Sequence, residues 1–342
     1  MRLKDQYLDR NGNNGNFGNY SGTRQERYKR NTVYQYVTFE ENASNAEVKV
    51  NNHVVSKQIH TIKALTPGGT LLEFGKPLFN LEKKEVTFSI NHEYNGTSGE
   101  KPHVGKLTSY DPIKEASGNN ESGIDHMYSS YELPPYTYAH LLTNMYSGDY
   151  VDLDGDGQPT ENDFGQYAHY EYLAPETYNW RAPYANVENQ ANFNIGSLAT
   201  KEDDKGSYMY GKKEITYVHT IETKTHIAEF VTEERADGLP VMNKEGKAPA
   251  VGDSYASQRV LKEIVLYAKG ENYDTDSNDK KEIKKAHLDY NYSLCDGVPN
   301  NIDGEGKLTL KKVYFTYYGN DKSSATLSPY LFDYHEGDLK QN

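Results

Sequence analysis

Residues 283–294 read IKKAHLDYNYSL, and within that run Ala286, Leu288, Tyr290, Tyr292 and Leu294 alternate with polar neighbours. A period of two puts those five side chains on one face of an extended chain, whereas 3.6 residues per turn would scatter them round a helix. The run therefore predicts a β-strand with one buried face. The same cadence continues on either side, in RVLKEIVLYA (259–268), LTLKKVYFTYY (308–318) and LSPYLFDY (327–334). Earlier in the chain TVYQYVTF (32–39), AEVKVNNHVVSKQIHTIKAL (46–65), KEVTFSIN (84–91) and HYEYLA (169–174) are further short runs of β-branched and aromatic residues. KKEITYVHTIETKTHIAEFVTEE (212–234) reads as one long strand or a hairpin.

Composition agrees with strands. Apolar residues make up 35% of 342, but 31 tyrosines and 10 phenylalanines bring large rings with one polar tip. Such residues suit sheets with one wet face. TPGGT (66–70) reads as a turn, KEDDK (201–205) as a solvated turn, and YNWRAPY (178–184) as an aromatic corner around the only tryptophan. Between Asn95 and Gly123 the sequence is polar and loop-like.

One stretch has helical spacing. In PPYTYAHLLTNMYSGD, Tyr138, Leu141, Leu142 and Met145 fall at i, i+3, i+4 and i+7, with Pro134 and Pro135 before the start and Gly148 past the end. This predicts a helix over Thr137–Tyr146. The expected fold class is mainly β, antiparallel sheets with one short central helix and a calcium loop. The expected divisions are a Gly/Asn-rich flexible lead-in (1–31), a β region ending in the helix (32–150), and the acidic loop followed by a β-sheet region (151–342).

That loop is DLDGDGQPTEND, Asp152–Asp163. Calcium takes six to eight oxygens on a bent backbone, which EF-hand-type loops supply from positions 1, 3, 5, 7, 9 and 12 with glycine at 6. Here those positions are Asp152, Asp154, Asp156, the carbonyl of Gln158, Thr160 and Asp163, with Gly157 at the bend. Position 12 is Asp, a shorter arm than the usual Glu. Pro159 holds the position through which two such loops would pair, and no second loop follows. A single structural Ca2+ site is expected rather than a paired sensor, tying the helix end to the next strand.

Other signals are weaker. A net charge of −13, from 37 basic and 50 acidic residues, argues against nucleic acid as a partner. Cys295 is the only cysteine, so no internal disulfide can form, and it reads as a small buried residue. No run after Met1 is apolar enough for a signal peptide or membrane helix, and cytosolic calcium is too scarce for a weak oxygen site. A piece of a longer exported protein, extracellular or at the cell surface, is therefore expected. His219 and His226, seven apart on one strand-like run, fall on opposite faces, and no zinc-protease, nucleophile-elbow or P-loop motif occurs. No catalytic residue is assigned. Tyr128, Tyr131, Tyr136, Tyr138, Tyr150 and Trp180 could form a sugar-stacking platform, or serve as core and sheet-surface aromatics.

The C-terminal series RVLKEIVLYAKG, KKAHLDYNYSL, GKLTLKKVYFTYYGN and LSPYLFDY resembles the strand series of Rhs and toxin-complex B type proteins, and DLDGDG resembles their calcium loops. TPGGTLLEFGKPLFN, YAHLLTNMYSGDYVDLDGDGQPTENDFGQYAHYEY, WRAPY, YGKKEITYVHTIETKTHIAEF and HLDYNYSLCDGVPNN resemble segments of very large surface or secreted proteins of Bacteroidota. That resemblance implies a very large exported parent. The Y-D-x-x-G-R-L repeat is missing, and Asp111-Pro112 continues as IKEASG without the cleavage motif. The functional expectation is a calcium-stabilised, non-enzymatic structural or adhesive segment. Its partners would be the remaining domains of the parent, and surface glycans or host or neighbour-cell proteins. The alternatives are a carbohydrate-binding or carbohydrate-processing module and an Rhs-like toxin-cocoon segment.

Overall fold

The computed structural model describes residues 7–8, 14–15, 33–39, 58–91, 104–185, 187–250, 252–271, 280–319 and 324–334. Every named element among them is a strand, and every pairing is antiparallel. Two two-residue strands, β1 (Tyr7–Leu8) and β2 (Asn14–Gly15), pair with each other inside the stretch expected to be a spacer. The rest of that stretch, and residues 46–57 of the second expected strand, lie outside the described residues.

The N-terminal region contributes β3 (Val33–Thr38), β4 (Ile59–Leu65), β5 (Leu71–Phe74), β6 (Lys76–Ser89) and β7 (Leu107–Ser109). Then come β8 (Tyr128–Leu133), β9 (Tyr136–Leu141), β10 (Asn144–Tyr146), β11 (Tyr167–Tyr172), β12 (Glu176–Ala182), β13 (Gln190–Phe193) and β14 (Lys205–Ile215). The remaining strands are β15 (Val218–Thr223), β16 (His226–Glu234), β17 (Arg259–Lys269), β18 (Lys280–Leu294), β19 (Lys307–Tyr318), β20 (Ser324–Thr326) and β21 (Tyr330–Leu331). They form two large sheets. The twelve-stranded one runs β20-β19-β18-β17-β16-β15-β11-β10-β5-β4-β3, with β21 also on β19. The seven-stranded one runs β7-β13-β14-β6-β8, with β12 on β14 and β9 on β6. Both take strands from either side of residue 150.

Four chain segments pass from one sheet directly into the other: β5 to β6 at Gly75, β9 to β10 at Leu142–Thr143, β11 to β12 at Leu173–Pro175, and β14 to β15 at Thr216–Tyr217. At this seam the backbone leaves one ladder before it joins the next, so side chains complete the hydrogen bonding. Thr143 donates both its N–H (2.7 Å) and its hydroxyl (3.0 Å) to the Glu73 carbonyl, and Gly75 N–H donates to the Thr143 hydroxyl at 3.2 Å. On the other side Leu173 N–H donates to Tyr217 O at 2.9 Å and the Thr216 hydroxyl to Leu173 O at 2.5 Å. The Tyr172 hydroxyl crosses between passages to Leu142 O at 2.6 Å. Gly75 is required here because a Cβ would stand 2.8 Å from Thr143 Oγ1.

The principal hydrophobic core lies on one face of the smaller sheet. Val86, Phe88, Tyr208 and Tyr210 meet Tyr110, Ala191, Phe193 and Val241, all buried. Tyr110 and Tyr208 stack at 5.7 Å, and the Arg181 guanidinium sits 4.5 Å above the Tyr208 ring. Arg181 is 5% exposed, and its donors reach the carbonyls of Lys244 and Pro183 and the Tyr110 hydroxyl. A tyrosine-rich core thus holds a buried cation by ring faces and carbonyls.

Several expectations need correction. No helix forms over Thr137–Tyr146; the segment is β9 and β10. Ten residues are too few to separate the two periods, since Tyr136, Tyr138 and His140 also alternate, and neighbouring strands decided the outcome by offering ladders on β6, β5 and β11. Pro134 and Pro135 interrupt the edge between β8 and β9, which lie in line along β6. The IKKAHLDYNYSL face is half-buried rather than covered, and its alternation breaks at a bulge between Asp289 and Tyr290. KEDDK is a turn only as far as Asp204: Lys205 opens β14 with its side chain 4% exposed. His219 and His226 lie on the two strands of the β15–β16 hairpin, not on one strand. Cys295 is exposed, at φ 58° just beyond β18.

A Gly75→Ala substitution is expected to lower stability by roughly 1–3 kcal/mol, as overpacking does. Gly118→Ala, at a position with open space around it, should change stability far less. Urea melts of the two variants, compared at unchanged m-value, check this; equal midpoints would show that the seam tolerates a methyl group.

Candidate metal centre

The acidic loop leaves the twelve-stranded sheet at the end of β10 and returns at the start of β11, where Tyr146 and Tyr167 are register partners. Beyond that pair Val151 and Phe164 form an isolated bridge, exchanging two N–H···O bonds of 3.0 Å. Residues 152–163 are therefore a closed loop standing on a β-ladder, without the helix that an EF-hand places before it. Gly165, at φ +85°, lets the returning chain pass where a Cβ would be 2.7 Å from Tyr150 Cα.

Inside the loop each early aspartate folds the backbone round itself. Asp152 accepts from Gly155 N–H (2.7 Å) and Gly157 N–H (3.0 Å), Asp154 from Asp156 N–H (3.2 Å), and Asp156 from Gln158 N–H (2.7 Å). Short Asx side chains favour this local bonding. Gly155 and Gly157 take up left-handed φ values of 76° and 79° at the bends. The outcome is that Asp152, Asp154 and Asp156 converge, with one carboxylate oxygen of each within 4.8 Å of the others.

The remaining expected positions are placed differently. Asp163 stands outside that trio and is 2% exposed. Its Oδ1 accepts from Leu153 N–H at 3.0 Å, and its Oδ2 accepts from Thr160 N–H and the Tyr150 hydroxyl, both at 2.8 Å. The Thr160 amide, then burial, the Leu153 amide and Tyr150 act on this carboxyl, and the donors outweigh burial, so its pKa is lowered. The Thr160 hydroxyl is buried, adds to that pull, and makes no well-formed hydrogen bond of its own. Gln158 is on the exposed rim. Burial, then the bond to Asp163, pushes the Tyr150 phenol far above its ordinary range.

In the trio, where Asp154 and Asp156 are exposed and Asp152 half-buried, the Asp156 amide pulls the Asp154 carboxyl down. Lost solvation, the charges of Asp156 and Asp163 and a side-chain hydrogen bond with Asp152 outweigh it and leave the group above its ordinary value. Carboxylates this close repel one another, and a divalent cation is the counter-charge that relieves them. The donor set is hard oxygen only, as Ca2+ and Mg2+ require.

Sequence reasoning missed what anchors the loop. Lys224, in the turn between β15 and β16, donates its ammonium to the Asp163 carbonyl. Lys269, at the end of β17, is 3% exposed and bridges Glu161 (3.0 Å) and Glu222 (2.6 Å). Acidic loop and basic sheet are thereby locked by side chains more than fifty residues apart.

Two other constellations suggest catalysis but do not support it. Glu263, His287 and Thr316 are linked by hydrogen bonds of 3.0 Å each, the connectivity of a nucleophile–base–acid relay. They lie across β17, β18 and β19, where the neighbouring amides belong to the ladder and offer no oxyanion donors, and Lys285 shares Glu263 at 3.3 Å. Ser89 lies 3.0 Å from the Lys205 ammonium, but Asp125 clasps that ammonium with both oxygens. Lys205, then Ser89, holds the Asp125 carboxyl down to about 2, and with both oxygens of that carboxylate on its Nζ the lysine is engaged as an ion-pair partner rather than offered to the serine as a base.

No family model matches the chain, and no curated protein is similar to it. Among solved structures it is similar to a chain in the crystal structure of a TcdB2–TccC3–Cdc42 assembly, at 10% identity and a TM-score of 0.30. That likeness covers 82% of this chain and 11% of the other, so the present chain spans about a ninth of that protein's length. A TM-score of that size does not establish a common fold. No helix among the described residues is long and apolar enough to cross a membrane.

Asp163→Ala is expected to cost roughly 1–3 kcal/mol even in EDTA, because it strands three part-buried donors. Asp154→Ala in EDTA should stay within about 0.5 kcal/mol. The lowered pKa of Asp163 has a definite sign: its stabilisation is present above the unfolded-state pKa of about 3.9 and fades as pH falls through the lower folded value. Denaturant melts from pH 6 to 2 should show this acid limb flattened in Asp163→Asn; an unchanged limb would place the acid sensitivity elsewhere.

Proposed function

We propose that this chain is a calcium-stabilised, non-enzymatic segment of a larger exported protein, serving as structural wall or adhesive surface. The observation that carries the reading is the convergence of Asp152, Asp154 and Asp156 on a loop whose two ends are bridged and whose flank is bolted to the sheet by Lys224 and Lys269. Asp152, Asp154 and Asp156 would hold the ion, with the Gln158 carbonyl and Thr160 completing the oxygen set. Asp163 supports the loop from beneath. The ion would supply no chemistry beyond charge neutralisation and cross-linking.

Two features support a structural role. The larger sheet is eleven strands wide, with β20 and β21 sharing its last edge, and most of its residues are half-buried, as in a broad wall rather than a closed two-layer core. Large apolar side chains also stand exposed at both of its ends, Tyr34 and Tyr36 on β3 and Tyr330 and Leu331 on β21. Edges of that kind suit continuation into neighbouring domains of a parent protein. A site of three carboxylates would fill readily where calcium is millimolar, which supports an extracellular location.

The test is a thermal melt in excess EDTA and in millimolar calcium, with the Asp154→Ala, Asp156→Ala double variant beside the parent chain. Calcium at a hundredfold excess over Kd should stabilise the parent by about 2.7 kcal/mol, seen as a rise of a few degrees in Tm, and should leave the double variant unmoved. Identical melts for both proteins in both conditions would reduce the loop to a solvated turn.

A further inference from the structure

The outer face of the smaller sheet, opposite the core, carries an aromatic surface that the calcium reading does not use. Direct register partners share a face, so Leu133, Lys83, Gly211 and Trp180 form one row across β8, β6, β14 and β12, and Tyr131, Glu85, Met209 and Ala182 form the next. The opposite rows, through Lys84, Tyr210 and Arg181, and through Val86 and Tyr208, face the core. Trp180 lies flat on the sheet because its partner is glycine: a Cβ at Gly211 would be 2.7 Å from indole Cε2 and Nε1. The indole is half-buried, while Tyr131 is 61% and Met209 38% exposed. The Lys83 ammonium, paired with Glu85 at 3.0 Å, lies near the phenols of both Tyr131 and Tyr136, which brings exposed Tyr136 onto the same surface. Rings therefore flank a neutralised ion pair across three strand spacings, about 14 Å.

We infer that this face is a binding platform for an uncharged polysaccharide, with Trp180, Tyr131 and Tyr136 stacking on sugar rings and the Lys83–Glu85 pair bonding hydroxyls between them. A sugar ring has an apolar C–H face and a polar rim, which is the chemistry that flat amphipathic aromatics with interspersed hydrogen-bonding groups recognise. The charge on the platform is internally paired, and the chain carries −13 overall, so a polyanion would be repelled. The loop 194–200 bounds the surface on one side, where Gly196 sits against Ser207. The platform is on the other sheet from the acidic loop, so it stands or falls independently of calcium.

As the only tryptophan, Trp180 reports on this surface directly. The full chain would be titrated in millimolar calcium with cellohexaose, xylohexaose, mannohexaose and chitohexaose, with alginate oligomers as the charged control, following indole emission. A saturable change with at least one neutral sugar, none with alginate, and at least tenfold weaker binding in Tyr131→Ala is expected. Gly211→Ala, which lifts the indole, should weaken binding as well; should it fail to fold, Tyr136→Ala is the replacement. No emission change with any neutral sugar overturns the proposal. So does sugar binding that Tyr131→Ala leaves intact, or concentration-dependent self-association abolished by Tyr131→Ala, which would make the face a contact between copies.

Discussion

The structure depends on how four backbone passages cross between two sheets without leaving buried peptide groups unpaired. A strand that changes sheets loses its ladder for a residue or two, and each unpaired buried group costs about 1–3 kcal/mol. Thr143 solves this at one passage by spending both its amide and its hydroxyl on Glu73 O while receiving the Gly75 amide. Thr216 and Leu173 do the equivalent at the other. Because β6 and β9 emerge from that crossing together, as do β12 and β14, the seam positions the platform face of one sheet and the acidic loop of the other.

Charge is handled by placement rather than by exclusion. Buried cations are clasped by groups distant in sequence: Lys205 by Asp125 and Ser89, Lys269 by Glu161 and Glu222, Arg181 by carbonyls and a ring face. Arg235 meets Asp237 through two parallel bonds of 2.9 and 2.8 Å, and the same carboxylate accepts the Leu308 amide. Such pairs add less to stability than their geometry suggests, since desolvation offsets attraction, but they specify which loop belongs on which strand. In a chain with 35% apolar residues that specification supplements a modest core. Among the described residues, Asp152, Asp154 and Asp156 bring three carboxylates together, with one oxygen of each within 4.8 Å of the others.

The aromatic residues divide in a way composition alone could not foretell. Tyr110, Tyr178, Tyr208 and Tyr210 are buried, whereas Tyr131, Tyr136 and Tyr138 are exposed, although Tyr110 lies in a stretch that reads as polar loop. Tyr128, named with them as a stacking candidate, packs against the core. Tyr150 hydrogen-bonds Asp163 beneath the acidic loop, and Tyr138 donates its hydroxyl to Glu214 O. Trp180 was visible as the sole tryptophan, but that it lies over Gly211 depends on a pairing thirty-one residues away.

What the chain determined by itself was local. Alternation in 283–294 made β18, the TPGGT composition made the turn closed by Thr66 and Thr70, and the aspartate spacing with Gly155 and Gly157 bent the acidic loop. Those features rest on a few neighbouring residues, whose φ/ψ preferences and short-range hydrogen bonds need no distant partner. Tertiary structure decided the rest. Thr137–Tyr146 could satisfy either period and became two strands because edges of β5, β6 and β11 were there to pair. Asp163 met the spacing rule for a ligand, yet three donors folded around it and buried it outside the trio. The physical reason is common to both: a hydrogen bond already formed between neighbours can be read locally, whereas the ladder or donor that a group finally finds depends on which strands the seam brings beside it.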